Sequence, residues 1–183
     1  MKGCRPLSRG EIKKIIEKLN IRDKLLCLSG LYFGLRISEI LQLKFRDISS
    51  EYISIKSKKN SENVTFQIPL NYRLAVKALE GSYKRAGVIV TPDTYLILSR
   101  EGENRPIHKG HACKLIKKVC KELGIEGKVN THSFRKSFVT EIYRQTGKDI
   151  AETKKYSRHK NLSNLDYYIG TSTNLDLIEK LDW

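Results

Sequence analysis

The spacing of apolar positions predicts a chain built mostly of helices. After a capping-box sequence at 8–11, isoleucine and leucine recur every three or four residues, which predicts a helix over about 8–19 that stops at Asn20. Helical spacing continues through 25–32 and, beyond two glycines, through 35–43. Later stretches with the same period cover 70–85, 109–123, 132–146, 149–156, 161–168 and 173–181.

One stretch departs from the helical period. Residues 52–55 alternate apolar and polar, and residues 64–68 do so again after a turn rich in lysine, serine and asparagine. This pattern predicts a β-hairpin with a basic tip. Residues 87–107 are predicted to be irregular, with a short strand considered at 95–98. The whole pattern indicates a mixed α/β (α+β) domain, predominantly helical with a small antiparallel β-sheet.

Length and charge narrow the class of protein. The chain has 183 residues, which suits one compact domain, and 35 Lys+Arg against 20 Asp+Glu give a net charge of +15. A net positive charge of this size creates an electrostatic field that attracts polyanions, so nucleic acid is the first partner to consider. A basic surface that serves only solubility is the alternative. A membrane ranks last, because Trp183 is the only tryptophan and no apolar run approaches the ~18 residues that span a bilayer.

The N-terminus and the cysteines point to an intracellular setting. No apolar segment follows the first five residues as it would in a secretory signal, so we expect a cytoplasmic protein with reduced cysteines. His108, His111, Cys113 and Cys120 lie close enough in sequence to suggest zinc. Their spacing fits no standard zinc module, so we predict no metal and no cofactor, and we assign the two cysteines to helix packing.

The strongest chemical signal stands at the start of the helix predicted at 132. His132 and Arg135 are three residues apart, so an imidazole and a guanidinium share one helix face. Such a pair suits a phosphate, because arginine offers a fork of donors and histidine can donate a hydrogen bond or move a proton. Taken alone, His-x-x-Arg is weak, since a surface pair near a helix start is common.

Three further segments make the pattern specific. They are GLRISEI at 34–40, the basic hairpin, and RHKNL at 158–162 followed by DYY at 166–168. In this order the chain resembles the catalytic domain of the tyrosine recombinases, the phage-integrase-type site-specific recombinases. That family carries a Gly-x-Arg-x-x-Glu-like box, a hairpin lysine, His-x-x-Arg, a Gly-His-like box and a tyrosine nine residues after the last histidine. The resemblance covers nearly the whole chain and implies the fold of that domain.

The resemblance also implies roles for individual residues. Arg36 and Arg135 would be the two arginines that bind the phosphate, and His132 and His159 the accompanying hydrogen-bond donors or proton carriers. Tyr168 would be the nucleophile that forms a 3′-phosphotyrosine bond with DNA. Two arginine forks can neutralise a phosphodiester in the transition state without a metal.

Two assignments within this set are less direct. Glu39 lies one helical turn after Arg36 and would orient it, the alternative being a plain surface pair. Lys59 stands four residues after the last apolar residue of the first hairpin strand, where the family's lysine commonly falls, and would protonate the leaving 5′-oxygen. Lys58 is the rival and Lys56 the third choice; otherwise these lysines would grip the DNA backbone from the hairpin tip.

Other basic residues would contact DNA. Lys117, Lys118 and Lys121 form a stripe on one predicted helix, which meets either DNA or only solvent; the overall charge favours DNA. Arg158 is predicted to contact DNA as well. It is also a departure from the family pattern, because the family usually has glycine before the last histidine.

The resemblance completes the functional hypothesis. We predict a metal- and ATP-independent recombinase that acts on double-stranded DNA, as a monomer in solution and as a homo-oligomer, a tetramer, on DNA. Residues 173–183 would contact a neighbouring protomer, the alternative being that they pack back onto their own domain. It would act in the cytoplasm, at the nucleoid or in the host of a mobile element. We expect residues 1–183 to form one catalytic domain without the family's N-terminal DNA-clamping domain, as in a fragment or a natural minimal form. The alternatives are a type IB topoisomerase-like relaxing enzyme and a non-catalytic DNA-binding regulator.

Overall fold

The computed structural model describes residues 3–55 and 63–158. It is mostly helical with one two-stranded antiparallel sheet, as predicted. The elements are α1 (Arg9–Lys18), α2 (Ile21–Phe33), α3 (Ile37–Ile40), β1 (Tyr52–Ile55), β2 (Val64–Gln67), α4 (Leu70–Arg85), α5 (Lys109–Glu122), α6 (Thr131–Gln145) and α7 (Ile150–Ser157), with a 3₁₀ turn at Phe45–Ile48. The helices predicted at 161–168 and 173–181 lie outside the described residues.

Capping side chains set the limits of the first two helices. Ser8 and Glu11 form the predicted capping box of α1, each side chain bonding the other residue's amide. Asn20 differs from its predicted role as a stop, because its side chain accepts a hydrogen bond from the Asp23 amide at 3.1 Å and begins α2. Leu19 and Asn20 separate the two helices.

The third helix is shorter than its apolar spacing predicts. It ends at Ile40, because the chain beyond it pairs with a distant segment: the Leu96 amide donates to the Leu43 carbonyl at 2.9 Å, and the Phe45 amide donates to Thr94 at 3.0 Å. Lys44 and Tyr95 form an isolated bridge there, so the strand considered at 95–98 is a pair of bridges and no sheet strand.

The predicted hairpin is present. Ile53 pairs with Phe66 and Ile55 with Val64, and both isoleucines face the core. The hairpin tip, at 56–62, lies outside the described residues.

Helices α2 and α6 pack against each other in the core. A β-carbon at Gly30 would lie 2.9 Å from that of Phe134, so this glycine lets the two helix backbones approach closely. Because the two helices are in contact, the turn that follows α2 lies beside the first half of α6. The apolar core continues through α1, α4, α5 and the hairpin, with Ile15, Leu25, Phe33, Tyr72, Leu79, Ile116 and Phe134 among its buried side chains. Within the described residues, no helix is both long and apolar enough to cross a membrane.

Candidate functional site

The turn between α2 and α3 depends on one glycine. Gly34 has φ +56°, a left-handed conformation in which a side chain is strained, and a β-carbon there would lie 2.5 Å from the Phe138 ring. The turn ends α2 and directs the chain into α3, whose first flanking residue is Arg36. The Gly34 carbonyl accepts hydrogen bonds from Arg135 and Arg158, so this turn is the junction at which α2, α6 and α7 meet.

Arg36 lies at the open edge of this junction. Its side chain is 45% exposed and its Nη1 donates to Glu39 Oε1 at 3.2 Å. Its backbone amide donates to Glu39 Oε2 at 2.7 Å. One carboxylate therefore holds both the backbone and the head of Arg36, which is the arrangement predicted from their spacing, and it leaves the guanidinium accessible to a ligand.

Glu39 is held from two sides. Its side chain is only 12% exposed and also accepts from Arg158, at 3.0 Å from Nη2 and 3.4 Å from Nη1. Burial alone would raise the pKa of Glu39, but hydrogen bonds from the Arg36 amide and the Arg158 guanidinium outweigh it and hold the pKa below its usual value. Glu39 is therefore an anion at neutral pH, fixed between two arginines.

Arg135 is buried beneath the site. Its side chain is 0% exposed, and its Nη1 and Nη2 donate to the carbonyls of Gly34 and, at 2.6 Å, Ser157. These two carbonyls end α2 and α7, so the arginine ties three helices together. Its spacing from His132 is as predicted, whereas its complete burial could not be foreseen from the sequence.

His132 lies near a concentration of positive charge. The Asn130 side chain caps α6 by accepting from the His132 amide at 2.8 Å. Partial burial and the charges of Arg135, Lys136 and Arg36 lower the pKa of His132 to about 4. The imidazole is thus neutral at pH 7 in the protein alone. An anion placed among these groups would reverse the electrostatic part of that shift.

Lys136 belongs to the same charged region but was not predicted. It follows His132 by four residues, hence on the same face of α6, and its side chain is buried. The only signal in the sequence was that spacing, which a solvent-facing lysine would share.

Arg158 occupies a place that differs from the predicted one. Its side chain is 2% exposed and is enclosed by the Glu39 carboxylate and the Gly34 carbonyl. A guanidinium in this position does not fit the predicted contact with the DNA backbone. The groups that bury Arg158 belong to residues more than one hundred positions away, so the local sequence does not reveal the burial.

The lysine stripe is exposed as predicted. Lys117, Lys118 and Lys121 lie on the outer face of α5, and Lys118 approaches Glu122 at 3.9 Å. The same Glu122 is 3.7 Å from Lys18, which places this end of α5 beside α1. Contact of the stripe with DNA stays a prediction.

The remaining predicted residues lie outside the described part of the chain. They are Lys56, Lys58, Lys59, His159 and Tyr168. The residues directly before two of them are described, namely Arg158 before His159 and Ile55 before Lys56.

The residues considered for zinc have other contacts. The His108 side chain accepts from the Gly110 amide at 3.1 Å and caps α5, and Cys113 lies 3.6 Å from the Thr131 hydroxyl. Cys120 is buried in the core. Across residues 3–55 and 63–158, no group of three His, Cys, Asp or Glu side chains is arranged to hold a metal ion.

The fold is similar to that of solved recombinase structures. The structure resembles that of a XerA recombinase with a TM-score of 0.73 at 21% identity, covering 98% of this chain and 65% of that one. It resembles a XerH site-specific recombinase bound to a difH substrate in a pre-cleavage complex with a TM-score of 0.72 at 22% identity, covering 98% and 53%. At such identities the likeness establishes the tyrosine recombinase catalytic-domain fold.

Sequence comparison identifies the family. The model of the phage integrase family matches residues 7–174, and the chain belongs to that family. A tyrosine recombinase of Pseudothermotoga lettingae is 31% identical over 176 residues, covering 93% of this chain and 58% of the relative. The chain thus spans little more than half the length of the curated relatives that it matches first.

Proposed function

We propose that this chain is the catalytic domain of a site-specific DNA recombinase that cleaves and rejoins DNA through a covalent 3′-phosphotyrosine intermediate. The observation that carries the proposal is the junction itself. The fold brings Arg36 to the His132–Arg135 face of α6, residues almost one hundred positions apart in the chain. Family membership supports the same conclusion.

The charges of the junction suit a phosphodiester. Attack on phosphorus builds negative charge on the phosphoryl oxygens, and donors fixed beforehand stabilise it most effectively. Arg36 offers an accessible guanidinium, and Arg135 is a fixed charge from beneath. Burial and then the charges of the neighbouring cations lower the pKa of His132, so a phosphate bound among these cations should raise that pKa.

The nucleophile and the acid come from the undescribed segments. Tyr168 would attack phosphorus, and a phenol with a pKa of ~10 needs the surrounding positive charge to favour its phenolate. Lys59 would protonate the departing 5′-oxygen, with Lys58 as its rival and Lys56 behind, and His159 would assist at the phosphate. The phosphotyrosine bond keeps the energy of the diester, so a 5′-hydroxyl can reseal the strand without ATP.

Assembly and location belong to the proposal as well. The substrate is double-stranded DNA, with Lys117, Lys118 and Lys121 as backbone contacts. The chain would be a monomer in solution and a tetramer on DNA, with 173–183 reaching a neighbouring protomer. Residues 1–183 would act as one domain. The protein would work in the cytoplasm, at the nucleoid or in the host cell of a mobile element.

A nicked suicide substrate tests the reaction class. Its cleaved strand loses a short fragment, so resealing is prevented and a covalent protein–DNA band should accumulate on a denaturing gel. Joined products with a second duplex are expected. Relaxation of a supercoiled plasmid without joined products would favour a topoisomerase-like enzyme. Binding without any covalent band would favour a regulator and overturn the proposal.

A further inference from the structure

The end of α7 has an unusual backbone for its residue type. Arg158 has φ +55° and ψ +33°, the left-handed conformation that glycine adopts freely and other residues adopt at a cost. Glycine is also what the family pattern usually has at this position. In Arg158 the hydrogen bonds of the side chain offset this cost.

Those contacts are all within the site. Arg158 reaches back across more than one hundred residues of sequence, and its Nη2 donates to the Gly34 carbonyl at 3.2 Å and to Glu39 Oε2 at 3.0 Å. With 2% of its side chain exposed, the guanidinium is desolvated and strongly held. It thus fastens the end of α7 to the α2–α3 turn, one residue before His159.

The Glu39 carboxylate is shared between two arginines. Oε1 accepts from Arg36 Nη1 at 3.2 Å and from Arg158 Nη1 at 3.4 Å. Oε2 accepts from the Arg36 amide at 2.7 Å and from Arg158 Nη2. Each carboxylate oxygen therefore has one donor from each side, which fixes the rotation of the carboxylate and with it the head of Arg36.

The charge balance gives this sharing a consequence. A carboxylate that paired with Arg36 alone would cancel the positive charge that Arg36 presents to a phosphate. With Arg158 as a second partner, the three groups together keep a net charge of +1. The buried arginine therefore offsets Glu39 and leaves Arg36 both oriented and positive.

We propose that Arg158 is a positioning residue of this protein: through Glu39 it orients Arg36 and preserves its charge for the scissile phosphate. The proposal rests on the proposed function, since the phosphate is that of a cleaved DNA strand. It is specific to this chain, because a glycine at 158 could supply the turn but neither the hydrogen bonds nor the charge.

Two substitutions and one control distinguish the effect of the Arg158 side chain from the effect of its backbone conformation. Arg158→Gly keeps the left-handed turn and removes the guanidinium, and Arg158→Lys keeps a charge without the fork. The control is Lys148→Gly, because Lys148 also has a positive φ, of +69°, but is exposed, and it precedes α7. Lys148→Gly therefore reports the effect of relieving the backbone alone.

Single-turnover cleavage of the nicked suicide substrate and DNA affinity are measured for each protein. Arg158→Gly should cleave about 100-fold more slowly, the effect of roughly 1 Å of misplacement, with an unchanged DNA dissociation constant. Arg158→Lys should recover part of the rate, and Lys148→Gly should match the wild type. Unchanged cleavage in Arg158→Gly would overturn the proposal. Weaker DNA binding with a smaller salt dependence and a normal cleavage step would do the same, because it would make Arg158 a contact to the DNA backbone.

A second readout does not depend on cleavage. The carboxyl group of Glu39 can be titrated by ¹³C NMR, with Glu39→Gln to assign its signal. The charged groups facing it are Arg36 and Arg158, so removing Arg158 should raise the pKa of Glu39, and the acid limb of the cleavage rate should move to higher pH. An unmoved Glu39 titration in both Arg158 variants would overturn the positioning role. A wild-type chain without any covalent adduct would instead contradict the proposed function, while the titration would still test the contact.

Discussion

The two arginines of the site should respond differently to the same substitution. Arg36 is 45% exposed at the edge of the junction, and Arg135 is 0% exposed beneath it. Arg36→Ala removes one accessible ion pair, whereas Arg135→Ala removes the donors that hold the carbonyls ending α2 and α7. Both variants should lose cleavage, but only Arg135→Ala should lose much stability.

The structure gives the size of the difference. An exposed ion pair contributes about 0–1 kcal/mol, so Arg36→Ala should unfold almost as the wild type does. In Arg135→Ala the Ser157 carbonyl loses its hydrogen bond, at about 1–3 kcal/mol, and the deleted side chain leaves a cavity. The Gly34 carbonyl keeps Arg158 as a donor. We therefore expect a loss of about 3–5 kcal/mol for Arg135→Ala.

Equilibrium unfolding in urea measures the free energy of unfolding of both variants. Cleavage is assayed under conditions in which each variant is folded. At a slope of about 1–3 kcal/mol per molar urea, the Arg135→Ala midpoint should fall by more than 1 M. Arg36→Ala should keep its midpoint and cleave about 100- to 1,000-fold more slowly. Arg9→Ala is the control, because Arg9 is an exposed arginine of α1 that pairs with Glu141 of α6 and is not assigned to the site. A wild-type midpoint for Arg135→Ala would contradict the role of Arg135 in tying the three helices together. An equally lowered midpoint for Arg36→Ala would make Arg36 a structural residue.

Three further outcomes are expected. The pKa of His132 is lowered from 6.5 to about 4, so between these two pH values the unfolded chain binds more protons than the folded chain. The free energy of unfolding should therefore fall as the pH drops from 6.5 to about 4. His132→Gln should make the urea midpoint less dependent on pH over the same range. A pH-independent difference between the two proteins would contradict this. Lys59→Ala should recover cleavage on a 5′-phosphorothiolate substrate, whose leaving group needs no proton, while arginine variants stay inactive; equal defects on both substrates would remove Lys59 from the acid role. Cleavage should survive excess EDTA without nucleotide, and a strict divalent-metal requirement for the covalent step would contradict the mechanism.

Local patterns predicted most of the fold. The helices have strong apolar periods and clear caps, as at Ser8 and Asp149, whose side chains accept from the third amide of each helix. The alternation at 52–55 and 64–68 predicted the hairpin. The end of α3 was missed because it depends on pairing between Leu43 and Leu96, fifty residues away, which no local period records.

The sequence suggested candidate members of the site, whereas their arrangement comes from the packed structure. Helical spacing placed Glu39 beside Arg36, and the order of motifs indicated that Arg36 and Arg135 serve one phosphate. The burial of Arg135 and Arg158 depends on the Gly34 turn, where three helices meet. A charged residue is expected at the surface by default, so only the packed structure could show these two inside.

The central claim is that a tyrosine of this chain becomes covalently linked to DNA, and that the tyrosine is Tyr168 and not its neighbour Tyr167. On a helix, adjacent side chains point about 100° apart, so only one of them can face the phosphate. The adduct trapped on a nicked suicide substrate should be digested with protease and the DNA-linked residue identified by mass spectrometry, with Tyr168→Phe and Tyr167→Phe alongside. We predict a 3′-phosphate linked to Tyr168, lost in Tyr168→Phe with DNA binding intact and retained in Tyr167→Phe. A linkage at Tyr167, or no covalent adduct from a chain that binds the substrate, would contradict the account.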